Sequence, residues 1–232
     1  MLFQQIAKKD TGCLTYVVGS QQSKECAVID PLESEIPQYI AFTRDNGMKI
    51  KYVIDTHTHA EHASGARKLA NMANAKLMLS HSSMAQFPFS PLRNGDELRM
   101  GEVSMKVLEA PGHTMDGIML LVEGDMLLTG DTLLCGWCGR ADFPMGISSV
   151  DSLFETVQKV KQMEADTLIY PAHYGPAHGL DSRMQSRIRD EFKTNELFLA
   201  KTKQEFKELA MKDLTPLSKK YMDTMRNNLE RF

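Results

Sequence analysis

The stretch Tyr52-Val53-Ile54-Asp55-Thr56-His57-Thr58-His59-Ala60-Glu61-His62 passes without a break from apolar residues into three histidines and two acids. Its aromatic and β-branched start reads as a strand, and Asp-Thr as the turn that ends it. The same grammar recurs three times: Val107-Leu108 runs on to Pro111-Gly112-His113, Met126-Leu127-Leu128 to Gly130-Asp131, and Leu168-Ile169-Tyr170 to Pro171-Ala172-His173. A strand end is a rigid mount, and strands that deliver His and Asp to one sheet edge are a way to assemble a metal site. A lone histidine is more often a structural hydrogen-bonding residue. An H-x-H-x-E-H run, seconded by three further strand ends, points to a metal centre.

The chain on either side of these stretches reads as an α/β fold. Strands are expected over 13–18 and 26–29, joined across the polar segment 19–24, then over 50–54, 76–79, 103–108, 118–122, 126–128 and 167–170. Helices are expected after Ser34, with Pro37 near the start and Gly47 as the stop, over 66–75, and over 151–163, where Phe154, Val157, Val160 and Met163 keep helical spacing. Beyond Asp181 the pattern predicts helix, with Ile188, Phe192, Leu199 and Phe206 on one face and Pro216 dividing a long helix from a short terminal one. The expected organisation is one domain over 1–180, two sheets face to face with helices outside, and a helical extension over 181–232 packed on it.

Composition narrows the classes of function. With 232 residues, 42% hydrophobic and 25% charged, the chain is an ordinary globular one. No apolar run approaches the length of a membrane span, and the first residues lack the apolar core of a secretory signal, so a cytoplasmic, reducing location is the expectation. A balance of 27 basic against 30 acidic residues gives no general attraction to nucleic acid or to a membrane surface. A small-molecule partner is expected instead. Cys13, Cys26, Cys135 and Cys138 are too few and too scattered for a disulfide framework.

The motifs together carry a resemblance. THTHAEH is similar to the H-x-H-x-D-H signature of the metallo-β-lactamase fold superfamily, and Gly112-His113-Thr114, Gly130-Asp131-Thr132 and Pro171-Ala172-His173 match its later motifs in order. The resemblance implies an αββα sandwich with the metal site at one edge. Cys138-Gly139-Arg140-Ala141-Asp142-Phe143 resembles a segment of the persulfide dioxygenases, whereas glyoxalase II enzymes follow Cys-Gly-Arg with an aromatic-Glu-Gly segment.

That resemblance implies one Fe(II) per chain on His57, His113 and Asp131, and oxidation of glutathione persulfide or a related small persulfide by O2 to sulfite and thiol. Two imidazoles and one carboxylate on one face leave positions open on iron. His59, His62 and His173 are then expected to orient the ligands and pass protons. Glu61 stands where the family has Asp, which lengthens the carboxylate arm without touching the iron triad. The alternative is a glyoxalase II-like thioester hydrolase with two zinc ions, drawing His62 and His173 into a second site. Arg140 is expected to anchor a substrate carboxylate, or else to pair with Asp142; Cys138 is placed beside the substrate, and Tyr174 within its reach or in packing. Cys135 and Cys138 form a C-x-x-C pair with no thioredoxin-like context. His81 and His178 match no ligand motif and are expected to be ordinary surface or hydrogen-bonding residues, and the charges from Arg183 to Lys212 to mark a solvated helix face, with recognition of the carrier thiol or a homodimer partner as the alternative for some of them.

Overall fold

The computed structural model describes residues 1–180 and 182–230. Asp181, where the helical extension was expected to begin, and Arg231 and Phe232, where it was expected to end, lie outside the described residues. Two six-stranded sheets form the body. The first runs in the order β1 (Leu2–Lys8), β2 (Cys13–Ser20), β3 (Glu25–Ile29), β4 (Lys49–Ile54), β5 (Lys76–Ser80), β6 (Ser90–Leu92). The second runs β12 (Ser186–Arg187), β11 (Leu168–Pro171), β10 (Met126–Gly130), β9 (Ile118–Val122), β8 (Val103–Glu109), β7 (Glu97–Met100).

Period-two alternation decides which side chains meet. Tyr16 and Val18 of β2 and Ile29 of β3 pack between the sheets against Met105, Val107, Leu120 and Leu128 of the second sheet. Val17 and Val28 face the other way, onto α1 (Ile36–Asp45) and α2 (Ala66–Ala73), through Tyr39 and Leu69. Leu127 and Ile169 face outward onto Leu153 and Val157 of α3 (Val150–Val160). The expected layers of helix, sheet, sheet and helix are therefore present.

The parallel pairs set the site. β3 and β4 are parallel, as are β10 and β11, with α1 and α3 as their crossovers. Parallel strands bring their carboxyl ends to one edge, where ligand-binding loops collect. Asp30, the histidine run, Asp131 and His173 all follow such ends. The two sheets are tied together there, because the Leu14 N–H donates to the Ala172 carbonyl at 2.8 Å and Cys13 bridges His173.

The tail departs from its sequence reading. In place of the long helix expected before Pro216 it forms α4 (Ile188–Thr194), α5 (Glu196–Leu199) and α6 (Lys203–Ala210), while the terminal helix expected after Pro216 is α7 (Lys219–Leu229). Capping residues break the run: the side chains of Asn195, Thr202 and Ser218 accept from the backbone N–H groups of Phe198, Glu205 and Tyr221. Nor are all of its charges solvated. Glu191 is fully buried and accepts from Ser186 Oγ at 2.5 Å, Gly136 N at 2.9 Å and Asn195 Nδ2 at 2.9 Å. It thereby fastens α4 to the loop that leads into Cys138-Gly139-Arg140. Glu191→Ala strands three donors, those of Ser186 and Asn195 buried, and opens a cavity, and is expected to lower stability by about 3 kcal/mol, read as a drop in the urea unfolding midpoint. No helix among the described residues is long and apolar enough to cross a membrane.

Candidate metal centre

His57, His113 and Asp131 come from three different loops, yet one ligand atom of each lies within 4.8 Å of the others. Asp131 Oδ2 is 3.8 Å from His57 Nε2 and 3.6 Å from His113 Nε2. Both Nε2 atoms are buried without a hydrogen-bond partner. Buried nitrogens are normally satisfied, so two such atoms converging on one carboxylate fit a metal ion and little else.

The tautomers agree. The Asp30 carboxylate can only accept, so Thr56 Oγ1 donates to Asp30 Oδ2 at 2.8 Å and must itself accept the His57 Nδ1 proton at 2.9 Å. His113 Nδ1 donates to the Arg140 carbonyl at 2.8 Å. Each ring is thus held with its Nε2 lone pair toward Asp131. Burial, reinforced by the neighbouring His59, pushes the His57 imidazole well below the usual range, which keeps it neutral as a metal ligand must be.

Asp131 divides its oxygens. Oδ2 faces the two imidazoles, while Oδ1 accepts from His173 Nδ1 at 2.6 Å. Burial opposes its charge, but the surrounding imidazoles of His173, His57 and His113 together outweigh burial and hold the carboxyl well below its normal range. His59 sits behind the triad, its ring 4.3 Å from that of His57, with Nε2 3.3 Å from Asp30 and 3.6 Å from Asp55. Those two carboxylates outweigh burial and raise the His59 imidazole. Glu61 has a carboxylate oxygen within 4.8 Å of donor atoms of Asp131 and His173, while its Oε2 accepts from Ala60 N at 3.1 Å.

In the motif after Asp131 the side chains of Arg140 and Cys138 are engaged within the fold. Arg140 spends its fork on Asp142, at 2.7 and 2.8 Å, and on the Thr215 carbonyl at 2.9 Å, so its pairing is internal. Cys138 is buried among apolar side chains with Leu133, Val157 and Phe198 rather than beside a pocket, and burial pushes its thiol far up. Cys135 is equally buried, so the C-x-x-C pair is not an exposed redox motif. What the segment does for the site is done by its backbone: Gly139 N donates to the Asp131 carbonyl at 2.8 Å, and the Arg140 carbonyl holds His113. Tyr174 is half-buried against the inter-sheet core, and its N–H donates to the Gly12 carbonyl. His81 lies apart, 3.4 Å from Glu109. His178 is a hydrogen-bonding residue, its Nε2 donating to the Thr11 carbonyl, and its ring lies 4.3 Å from that of His173.

Sequence reading gave two neighbours of the site no role in it. Cys13, at the start of β2, has Sγ 3.8 Å from His62 Nδ1. Burial works against ionisation of this thiol, but contacts with His173, His178 and His62 prevail and bring it down to about 3. No local signal marks it, since a cysteine opening an apolar strand reads as core. Asn228 of α7 clasps the histidine loop from the far end of the chain: its Nδ2 donates to the His59 and His62 carbonyls at 2.9 and 3.0 Å, and its Oδ1 accepts from Ser64 N at 3.0 Å. Asn228→Ala is expected to cost about 2 kcal/mol in stability and roughly tenfold in metal retention, measured by urea unfolding and by metal loss to a chelator. A cleft of about 510 Å³ borders the back of this loop at Asp55, His57, His59 and Asn228 but does not reach His113 or Asp131.

A sandwich of two mixed sheets with this ligand edge defines a class, and the chain belongs to the metallo-beta-lactamase superfamily, whose family model matches residues 9–173. Within it, the chain is 31% identical over 176 residues to the mitochondrial persulfide dioxygenase ETHE1 of Homo sapiens, covering 75% of this chain and 68% of that one. The crystal structure of ETHE1 from Myxococcus xanthus superposes with a TM-score of 0.89 at 28% identity, over 98% of both chains. A hydroxyacylglutathione hydrolase of Prochlorococcus marinus (strain MIT 9301) is 29% identical over 157 residues, 66% of this chain and 61% of that one.

Proposed function

We propose that this chain is a mononuclear Fe(II) persulfide dioxygenase: glutathione persulfide, or a related small persulfide, reacts with O2 and water to give sulfite and the free thiol. The observation that carries the reading is the division of Asp131, one oxygen toward His57 and His113 and the other taken by His173. A carboxylate so engaged has one oxygen left to offer a metal, which would suit a single ion. Similarity to the persulfide dioxygenases supports the same choice.

His57, His113 and Asp131 would hold the iron, whose role when bound is to bring O2 and a sulfur anion into reaction at its open positions. The chain's other residues prepare that face. Thr56 and the Arg140 carbonyl fix the two imidazoles, and His173 fixes the carboxylate. Phe143 lies edge-on to His113, at 5.5 Å between rings, and packs with Ala60 and Met225 of α7, making one apolar wall that excludes water. Glu61, near Asp131 and His173, is placed to take the S–H proton of an arriving persulfide.

A thioester hydrolase with two metals is the second reading, favoured by the gathering of Glu61, Asp131 and His173 donors within 4.8 Å. The two separate in one experiment on anaerobically purified protein: a metal count, O2 uptake with glutathione persulfide, and hydrolysis of S-lactoylglutathione. One iron per chain with O2 consumption is the expected result. Thioester cleavage without O2 uptake would overturn it.

A further inference from the structure

Outside the iron triad, a second group of donors stands at the seam where the first sheet meets the second. We propose that Cys13, His62 and His173 form a binding site for a soft d10 divalent cation of the zinc class. The inference goes beyond the dioxygenase reading, because nothing in that activity calls for a thiolate-bound ion, and it holds whichever metal the triad takes.

Geometry is the first argument. The Cys13 sulfur and one nitrogen from each histidine lie within 4.8 Å of one another, and the sulfur is already 3.8 Å from His62 Nδ1. Donors on a tetrahedral ion, at about 2.3 Å for sulfur and about 2.0 Å for nitrogen, are roughly 3.5 Å apart. Only a slight closure is needed. The donors are also rigidly mounted: Cys13 opens β2, His173 follows β11, and an antiparallel bridge joins the two residues.

The unpartnered nitrogen of His173 is a second, independent argument. His173 is 1% exposed, with Nδ1 taken by Asp131 and Nε2 buried with no hydrogen-bond partner. His62 reaches the sulfur through Nδ1, so the site takes that nitrogen of its ring. A carboxylate on one ring nitrogen and a cation on the other is a common way for a metal-binding histidine to be oriented. Here Asp131 plays that part for His173 while turning its second oxygen toward His57 and His113.

Donor chemistry sorts the ions. Two imidazoles and a carboxylate suit ferrous iron, whereas a thiolate with two imidazoles favours zinc-like ions. Adjacent sites with different donors can therefore hold different metals. An ion on the sulfur side would pin the start of β2 to the histidine loop and to the end of β11, closing the sandwich at its functional edge.

Cobalt(II) alone is the probe, added anaerobically to iron-loaded protein. A cobalt–thiolate band in the near ultraviolet, growing to one equivalent while iron and O2 uptake remain, is the expected result. Cys13→Ser should remove the band and weaken retention of that equivalent against a chelator at least tenfold, with iron retained. His62→Ala, a second variant in case serine at position 13 impairs folding, should weaken it likewise. His113→Ala, which damages only the iron triad, should keep the band. Cobalt uptake with no thiolate band, or a band that survives in Cys13→Ser, would overturn the site. Either result leaves the dioxygenase reading standing, and absence of O2 uptake in the unmodified protein would overturn that reading while leaving the cobalt band intact.

Discussion

Asp131→Ala is expected to strip the protein of iron and to lower O2 uptake with glutathione persulfide by at least about 1,000-fold, the scale of loss when a group that the others cannot replace is removed. The triad offers only three donors, and Asp131 is its only anion. Without it, two neutral imidazoles would hold a divalent ion with no charge to offset, and His173 Nδ1 would lose the carboxylate that it contacts at 2.6 Å. Asp131→Asn keeps the shape but places an amide against the imidazole groups, so it should fail nearly as completely. His62→Ala is the contrasting case. His62 contacts Cys13 rather than the triad, so most of the iron should remain. Iron assays on the three variants, with circular dichroism as the check on folding, decide the division: equal loss of iron from His62→Ala would place His62 among the iron ligands.

The strand-end histidines were legible because a strand followed by a ligand is a local pattern, and four copies of it fix both the sheet edge and the donors. Strands β2, β3, β4, β8, β9 and β10 were readable for the same reason, since their apolar runs are bounded by turn residues. β1 carries no such pattern: LFQQIAK alternates weakly, and its residues are half-buried at the sheet edge. The tail misled because apolar spacing persists through the capping residues Asn195 and Thr202, which end helices by hydrogen bonds that periodicity does not register. Neither Cys13 nor Asn228 could be found from the sequence, since their partners lie 49 and 160 or more residues away and depend on how the sheets and α7 close. In the Cys-Gly-Arg motif, side-chain chemistry drew attention to Cys138 and Arg140, while the structure uses the backbone between them.

Gly139→Ala puts that last point to a test and should damage the site although it removes no ligand. A methyl group at position 139 would lie 2.2 Å from the Asp131 carbonyl oxygen, 2.7 Å from His113 Nδ1 and 3.0 Å from His113 Cγ. The first obstacle is backbone and the second is a ring already held by the Arg140 carbonyl, so neither yields by a change of rotamer. Relief requires the loop to lift away, which breaks the hydrogen bond from Gly139 N to the Asp131 carbonyl and shifts two of the proposed iron ligands at once. Overpacking of this kind costs about 1–3 kcal/mol, and misplacement of the ligands should cost at least tenfold in iron affinity beyond that. Gly47→Ala is the control for a generic glycine effect. Gly47 has φ of 65° but nothing within 4 Å of an added methyl, so the change should cost about 1 kcal/mol in stability and leave iron untouched. Iron retention and urea midpoints measured side by side distinguish the cases. If Gly139→Ala keeps its iron, the motif does not serve as the scaffold of His113 and Asp131, and a substrate-binding role for Arg140 regains its place.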